Sequence, residues 1–234
     1  MSTHLSRKEL KQDNVALKVE ETTHFLVTHR ELVTKVGVGI LAVLVIGFGS
    51  WFFISSRRDG REQALATAIT MENAPVGAAA AGGVSFPSDA AKADAVKKAF
   101  DSVISQNGGS EEAYASEYYL AGSDAAAGKT DDAVKKYDDV ISGAGTDYAS
   151  LAKLAKAQLL FSLNRSPEAQ TLLKDLIANP TAMVSKDQAS ITLAKGIAAT
   201  QPDEARKLLV PIASEHSDVS QIAVTAMAEL PQGK

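Results

Sequence analysis

The chain has 234 residues, no cysteine and a net charge of −4. Without cysteine it can form no disulfide, no thiolate metal site and no lipidated thiol. The charge is uneven: residues 1–72 carry nine Lys+Arg against eight Asp+Glu, and residues 73–234 carry fifteen against twenty. An acidic remainder without a basic patch excludes nucleic-acid binding from the expected functions. Alanine is abundant and aromatics are only 6%, which favours closely packed helices over a sheet.

Residues 1–35 form a charged tail. Ser6-Arg7-Lys8-Glu9 has the form of a capping box, with Glu three residues after the capping Ser, and it predicts a helix from about residue 7 to 31. The apolar positions of that helix (Val15, Val19, Leu26, Val33) make a narrow stripe. Such a helix would dock on a partner, lie along a membrane surface or stand as a solvated tail.

Residues 36–54, VGVGILAVLVIGFGSWFFI, contain no charge. At 1.5 Å per residue they cover about 28 Å, close to the hydrocarbon thickness of a bilayer. Lys35 closes one end, Arg57, Arg58 and Arg61 close the other, and Trp51 falls near the second boundary, where an amphipathic ring prefers to lie. These residues predict a single transmembrane helix. The flanking cations are balanced (Lys18, Arg30 and Lys35 against Arg57, Arg58 and Arg61), so charge does not orient it. Arg7, Lys8 and Lys11 tilt the balance toward a cytoplasmic N-terminus. The small residues Gly37, Gly39, Ala42, Gly47 and Gly49 form no strict GxxxG motif.

A helical pattern continues over 55–72, and a Gly/Ala-rich linker without charge or periodicity follows over 73–87, closed by Pro87. From residue 88 the chain becomes self-similar. AVKKAFDSVIS at Ala95–Ser105 matches AVKKYDDVIS at Ala133–Ser142 apart from one inserted residue. The triplets Asp132-Ala133-Val134, Glu168-Ala169-Gln170 and Glu204-Ala205-Arg206 recur every 36 residues. Each is followed by an apolar residue four positions after its alanine (Tyr137, Leu173, Leu209) and another three beyond (Val140, Leu176, Ile212). Turns precede each helix at Gly128-Lys129-Thr130, Asn164-Arg165-Ser166-Pro167 and Thr200-Gln201-Pro202, and proline is well tolerated in a first helical turn. A small residue early in each helix lets a hairpin close tightly, while the larger ones fill the seam between repeats.

This pattern resembles the tetratricopeptide repeat, whose period is about 34 residues. Leu120, Ala121, Gly128, Ala133 and Tyr137 match the repeat's Leu, small, Gly, Ala and aromatic positions in order. Ala157, Asn164, Ala169 and Leu173 follow less closely, and Ala205 and Leu209 hold in a third copy. No Trp occurs in the repeats and each period is two residues longer, so the copies are degenerate. The expected fold is therefore all-α: one transmembrane helix, then a tetratricopeptide-repeat-like α-solenoid of helical hairpins over 88–230, with residues from Ser217 to Leu230 as a capping helix. The whole layout resembles the ancillary SecYEG translocon subunit family. That resemblance implies a single-pass protein of the bacterial inner membrane, with a cytoplasmic N-terminus and periplasmic repeats. Its implied partners are the translocon, periplasmic chaperones or exported polypeptides, besides membrane lipid along the span. The repeat family's groove positions fall here on Tyr118, Leu154, Gln158, Phe161, Asp187 and Ser190. The Lys, Arg and Asn that clamp a carboxylate in chaperone-binding repeats are missing.

No chemistry-bearing constellation emerges. Gly122 to Thr130 approaches a phosphate-binding loop, but five residues separate its glycines where four are needed, and no strand is expected before it. His24 and His29 fall on different helix faces, and His4 and His216 stand alone. No GxSxG surrounds any serine. Adjacent pairs such as Glu111-Glu112, Asp131-Asp132 and Asp138-Asp139 do not converge on a helix. The expectation is a membrane-tethered protein-interaction module without enzymatic activity, metal or cofactor. Two alternatives are an envelope or division component that oligomerises through its repeats, and a regulator acting through its cytoplasmic tail.

Overall fold

The computed structural model describes residues 30–77, 83–215 and 219–231. The expected tail helix up to residue 29, the centre of the linker at 78–82, and His4, His24, His29 and His216 lie outside the described residues. Among the described residues the protein is all-helical, with nine helices. They are α1 (Arg30–Glu72), α2 (Asp89–Asn107), α3 (Glu111–Ala126), α4 (Thr130–Gly143), α5 (Thr146–Ser162), α6 (Ser166–Ala178), α7 (Lys186–Ile197), α8 (Pro202–Ser214) and α9 (Ser220–Ala228). The chain divides into two compact units, Met1–Asp59 and Gly60–Lys234.

In the first unit, α1 carries the apolar run. It is the one helix among the described residues long and apolar enough to cross a membrane. Val38, Leu44, Ile46, Phe48 and Trp51 are each more than 60% exposed, so this stretch has no protein core to enter. Leaving such side chains in water forfeits about 1.5–3 kcal/mol apiece relative to burial.

The second unit begins with the end of α1. Ala68, together with Leu65, Ile69 and Met71, packs on Val96 and Phe100 of α2 and Leu120 of α3. Its core thus starts before the linker. The linker's described ends are joined: the Gly77 N–H donates to the Phe86 carbonyl at 2.8 Å, and the Phe86 N–H to that of Pro75 at 3.2 Å. Arg61 ties the same segment to α3 through Glu112, Nε to Oε2 at 3.1 Å.

Local chemistry sets the helix starts. The hydroxyls of Ser88, Ser110 and Ser185 cap α2, α3 and α7 by accepting from the N–H groups of Ala91, Ala113 and Gln188. Pro167 and Pro202 occupy first turns of α6 and α8. The 36-residue spacing is visible in the backbone. Gly128 (φ 77°) and Asn164 (φ 60°) take the left-handed conformation at equivalent turns. There Lys129 N–H donates to Asp124 and Arg165 N–H to Leu160, both at 2.8 Å, the six-to-one bond that ends a helix in a Schellman turn. The third turn differs, with Gln201 N–H bonded to Ile197 at 2.7 Å.

The three sets Ala133/Tyr137/Val140, Ala169/Leu173/Leu176 and Ala205/Leu209/Ile212 are the buried residues of α4, α6 and α8. Each helix from α2 to α8 packs on the next, and α3, α5 and α7 each also touch the next but one, α5, α7 and α9 respectively.

Candidate partner-binding surface

All five tyrosines of the chain lie between residues 114 and 148, and folding back α3, α4 and α5 gathers them. Tyr118 is the hub, its ring centroid 5.6 Å from Tyr119, 6.0 Å from Tyr137 and 6.2 Å from Tyr148. Tyr119 in turn stacks on Phe100 at 5.2 Å with the rings nearly parallel. Tyr137 and Phe100 are buried, whereas Tyr114, Tyr118, Tyr119 and Tyr148 are half-buried. Burial pushes the Tyr137 phenol up to about 12, helped by Tyr118. It also raises Tyr118, and raises Tyr148 together with the nearby Tyr119, Glu111, Tyr118 and Glu112.

Two glycines make this arrangement fit. A Cβ on Gly143 would overlap the Tyr114 ring, and one on Gly145 would overlap the Glu111 carboxylate. Glu111 reaches across from α3 to accept the Gly145 N–H at 2.6 Å, placing a negative charge at the start of α5, where the helix dipole favours it. Glu112 beside it is largely buried. Burial raises its pKa, but its own backbone N–H, the Ser110 hydroxyl and the Arg61 guanidinium together hold it below the ordinary value. Glu117 goes the other way, raised by burial and then by Asp139.

A second feature lies between α5 and α7. A cleft of about 370 Å³ is lined by Gln158, Phe161, Ile191, Thr192, Lys195 and Gly196. Here too a glycine receives a ring, because a Cβ on Gly196 would overlap the edge of Phe161. Two further clefts contain ion pairs between their lining residues. In one, Lys153 bridges to Asp175 at 2.6 Å, while the Ser150 and Thr181 hydroxyls bond at 2.9 Å. In the other, Asp124 accepts Lys136 at 2.7 Å and lies 3.8 Å from Lys129. Lys129 and Gly128 belong to the near-miss phosphate loop, whose sequence here forms a helix end and turn.

The six groove positions read from the sequence are therefore distributed as follows. Gln158 and Phe161 line the α5/α7 cleft, and Tyr118 is the hub of the tyrosine group. Leu154 is in the hydrophobic core. Asp187 is half-buried in the first turn of α7, and the buried Ser190 hydroxyl donates to the Lys186 carbonyl at 2.8 Å. Sequence reasoning did not identify Tyr119, Tyr148 or the α7 residues Ile191, Thr192 and Lys195. Set against known family models, curated proteins and solved structures, the chain matches none.

Proposed function

We propose that the protein is a membrane-tethered protein-interaction module. In this reading α1 spans the bacterial inner membrane with the N-terminus in the cytoplasm. The helices after it form a tetratricopeptide-repeat-like solenoid on the periplasmic side. They recruit translocon subunits, periplasmic chaperones or exported polypeptides, as the resemblance to the ancillary SecYEG translocon subunit family implies. The observation that carries this reading is the row α3, α5, α7. Each packs on the next in that row, and they carry half-buried rings, Tyr118 and Tyr148 at one end and Phe161 at the other. Exposed aromatic area on rigid helices is what partner surfaces use. The recurring turns and buried triples support the solenoid.

Two measurements test it. The chain has no native thiol, so a Gly83→Cys variant reports the side of the membrane cleanly. An impermeant thiol reagent labels it in intact inner-membrane preparations of periplasm-facing orientation, and labelling only after permeabilisation contradicts the topology. A photoreactive residue at Gln158 then captures translocon or periplasmic proteins in cells; capture of neither, with the protein folded and inserted, contradicts the function.

A further inference from the structure

The segment that holds every tyrosine is also acidic. Residues 110–150 carry nine Asp+Glu against three lysines, a balance of −6, whereas the whole chain is −4. Of those lysines, Lys129 and Lys136 are engaged by Asp124. At the tyrosine surface itself, the exposed Glu111 is bonded to a backbone N–H and lies near enough to Tyr148 to help raise its phenol. Arg61 neutralises Glu112. Half-buried phenol rings beside the exposed Glu111 carboxylate suit a planar cation on an apolar stem, which stacks on the ring and hydrogen-bonds to the acid.

We infer that the Tyr118–Tyr119–Tyr148 surface binds an arginine-bearing extended segment of a partner protein. This rests on the module reading and names the partner's chemistry at that surface. The guanidinium lies on the Tyr148 face with the Glu111 carboxylate within reach of its N–H groups. The neighbouring α5/α7 cleft, with Phe161, Ile191 and Lys195 in its lining, lacks this acidic character and does not select arginine.

The test uses the full chain in nanodiscs of uncharged lipid. Fluorescent ten-residue peptides of alternating Arg and Ser, and of alternating Glu and Ser, are titrated by anisotropy. The arginine peptide binds and weakens with added salt, and the glutamate peptide does not bind. Tyr148→Leu alters no charge and weakens arginine-peptide binding about three- to tenfold, whereas Tyr148→Phe retains it, because the ring rather than the hydroxyl makes the contact. Glu111→Gln also weakens binding. Thermal melts establish that each variant is folded, and a Phe161→Leu control leaves arginine-peptide affinity unchanged. Equal binding of both peptides, or full affinity in folded Tyr148→Leu, overturns the inference. Partner capture at Gln158 in cells alongside either result leaves the module reading standing without it.

Discussion

The stretch from Ser110 to Ser150 and the stretch from Leu151 to Ser214 share a left-handed turn, at Gly128 and Asn164, and the same small–apolar–apolar burial, yet their chemistry diverges. In the first, the buried triple is Ala133, Tyr137 and Val140, and Tyr114, Tyr118 and Tyr148 pack against it. In the second, the triples are aliphatic, and Phe161 is the only aromatic residue anywhere after Tyr148. Charge diverges too: nine acids against three bases in residues 110–150, five against eight in residues 151–214. Repeat packing evidently needs only the alanine and two apolar side chains of adequate size. Half-buried tyrosine rings, with the exposed Glu111 beside them, exceed what packing asks. The comparison therefore separates an acidic, tyrosine-bearing part of the unit from an aliphatic, more basic one.

That separation can be broken most directly at the cores. Leu173 is fully buried among aliphatic neighbours, and Leu173→Ala should cost about 3–5 kcal/mol. The denaturant midpoint falls while the slope stays constant, and arginine-peptide affinity at the still-folded tyrosine surface is retained. The equivalent tyrosine makes a contrast that only pH reveals. Tyr137 has its pKa raised from 10.0 to about 12, so the fold resists the phenolate while the unfolded chain accepts it. Stability is full below pH 10 and falls as pH rises from 10 to 12, by roughly 3 kcal/mol for two pKa units. Alkaline unfolding curves should show that loss, and Tyr137→Phe should remove its share of it.

Smaller effects sharpen the contrast. Gly196→Ala pushes the Phe161 ring from its seat on α7 and should cost about 1–3 kcal/mol, measured as a lowered melting temperature, with no change in the tyrosine surface. Arg61→Gln leaves Glu112, of which only 11% of the side chain is exposed, without its cation. The expected loss is about 1–2 kcal/mol, and local hydrogen exchange should rise at the end of α1 and the start of α3.

Much of this architecture is written in short sequence signals. Pro167 and Pro202 mark first turns, and Gly128 and Asn164 mark left-handed helix ends. The 36-residue alanine spacing marks the tight approaches that became fully buried Ala133, Ala169 and Ala205. The apolar run with arginines at its end stands out because nothing else in the chain lacks charge for so long. The tyrosine surface was hidden for a different reason. Positions 114, 118, 119, 137 and 148 have no common period, and only the folding of three helices brings them together. The glycine seats at Gly143, Gly145 and Gly196 are likewise invisible, since each is defined by a side chain arriving from another helix. Carrying the 36-residue step onto the first helices links Tyr118, Leu154 and Ser190. Leu154 and Ser190 are buried, because this register lies toward the helix seam rather than the open face. In α7 the cleft uses Ile191, Thr192 and Lys195 instead.

Hydrogen exchange of the full chain in nanodiscs, with and without the arginine peptide, tests the contrast between the two stretches most directly. Added protection confined to α3 and the first turns of α5, with α8 and α9 unchanged, is the predicted result. Protection centred on α8 and α9, or spread evenly along the unit, would contradict it.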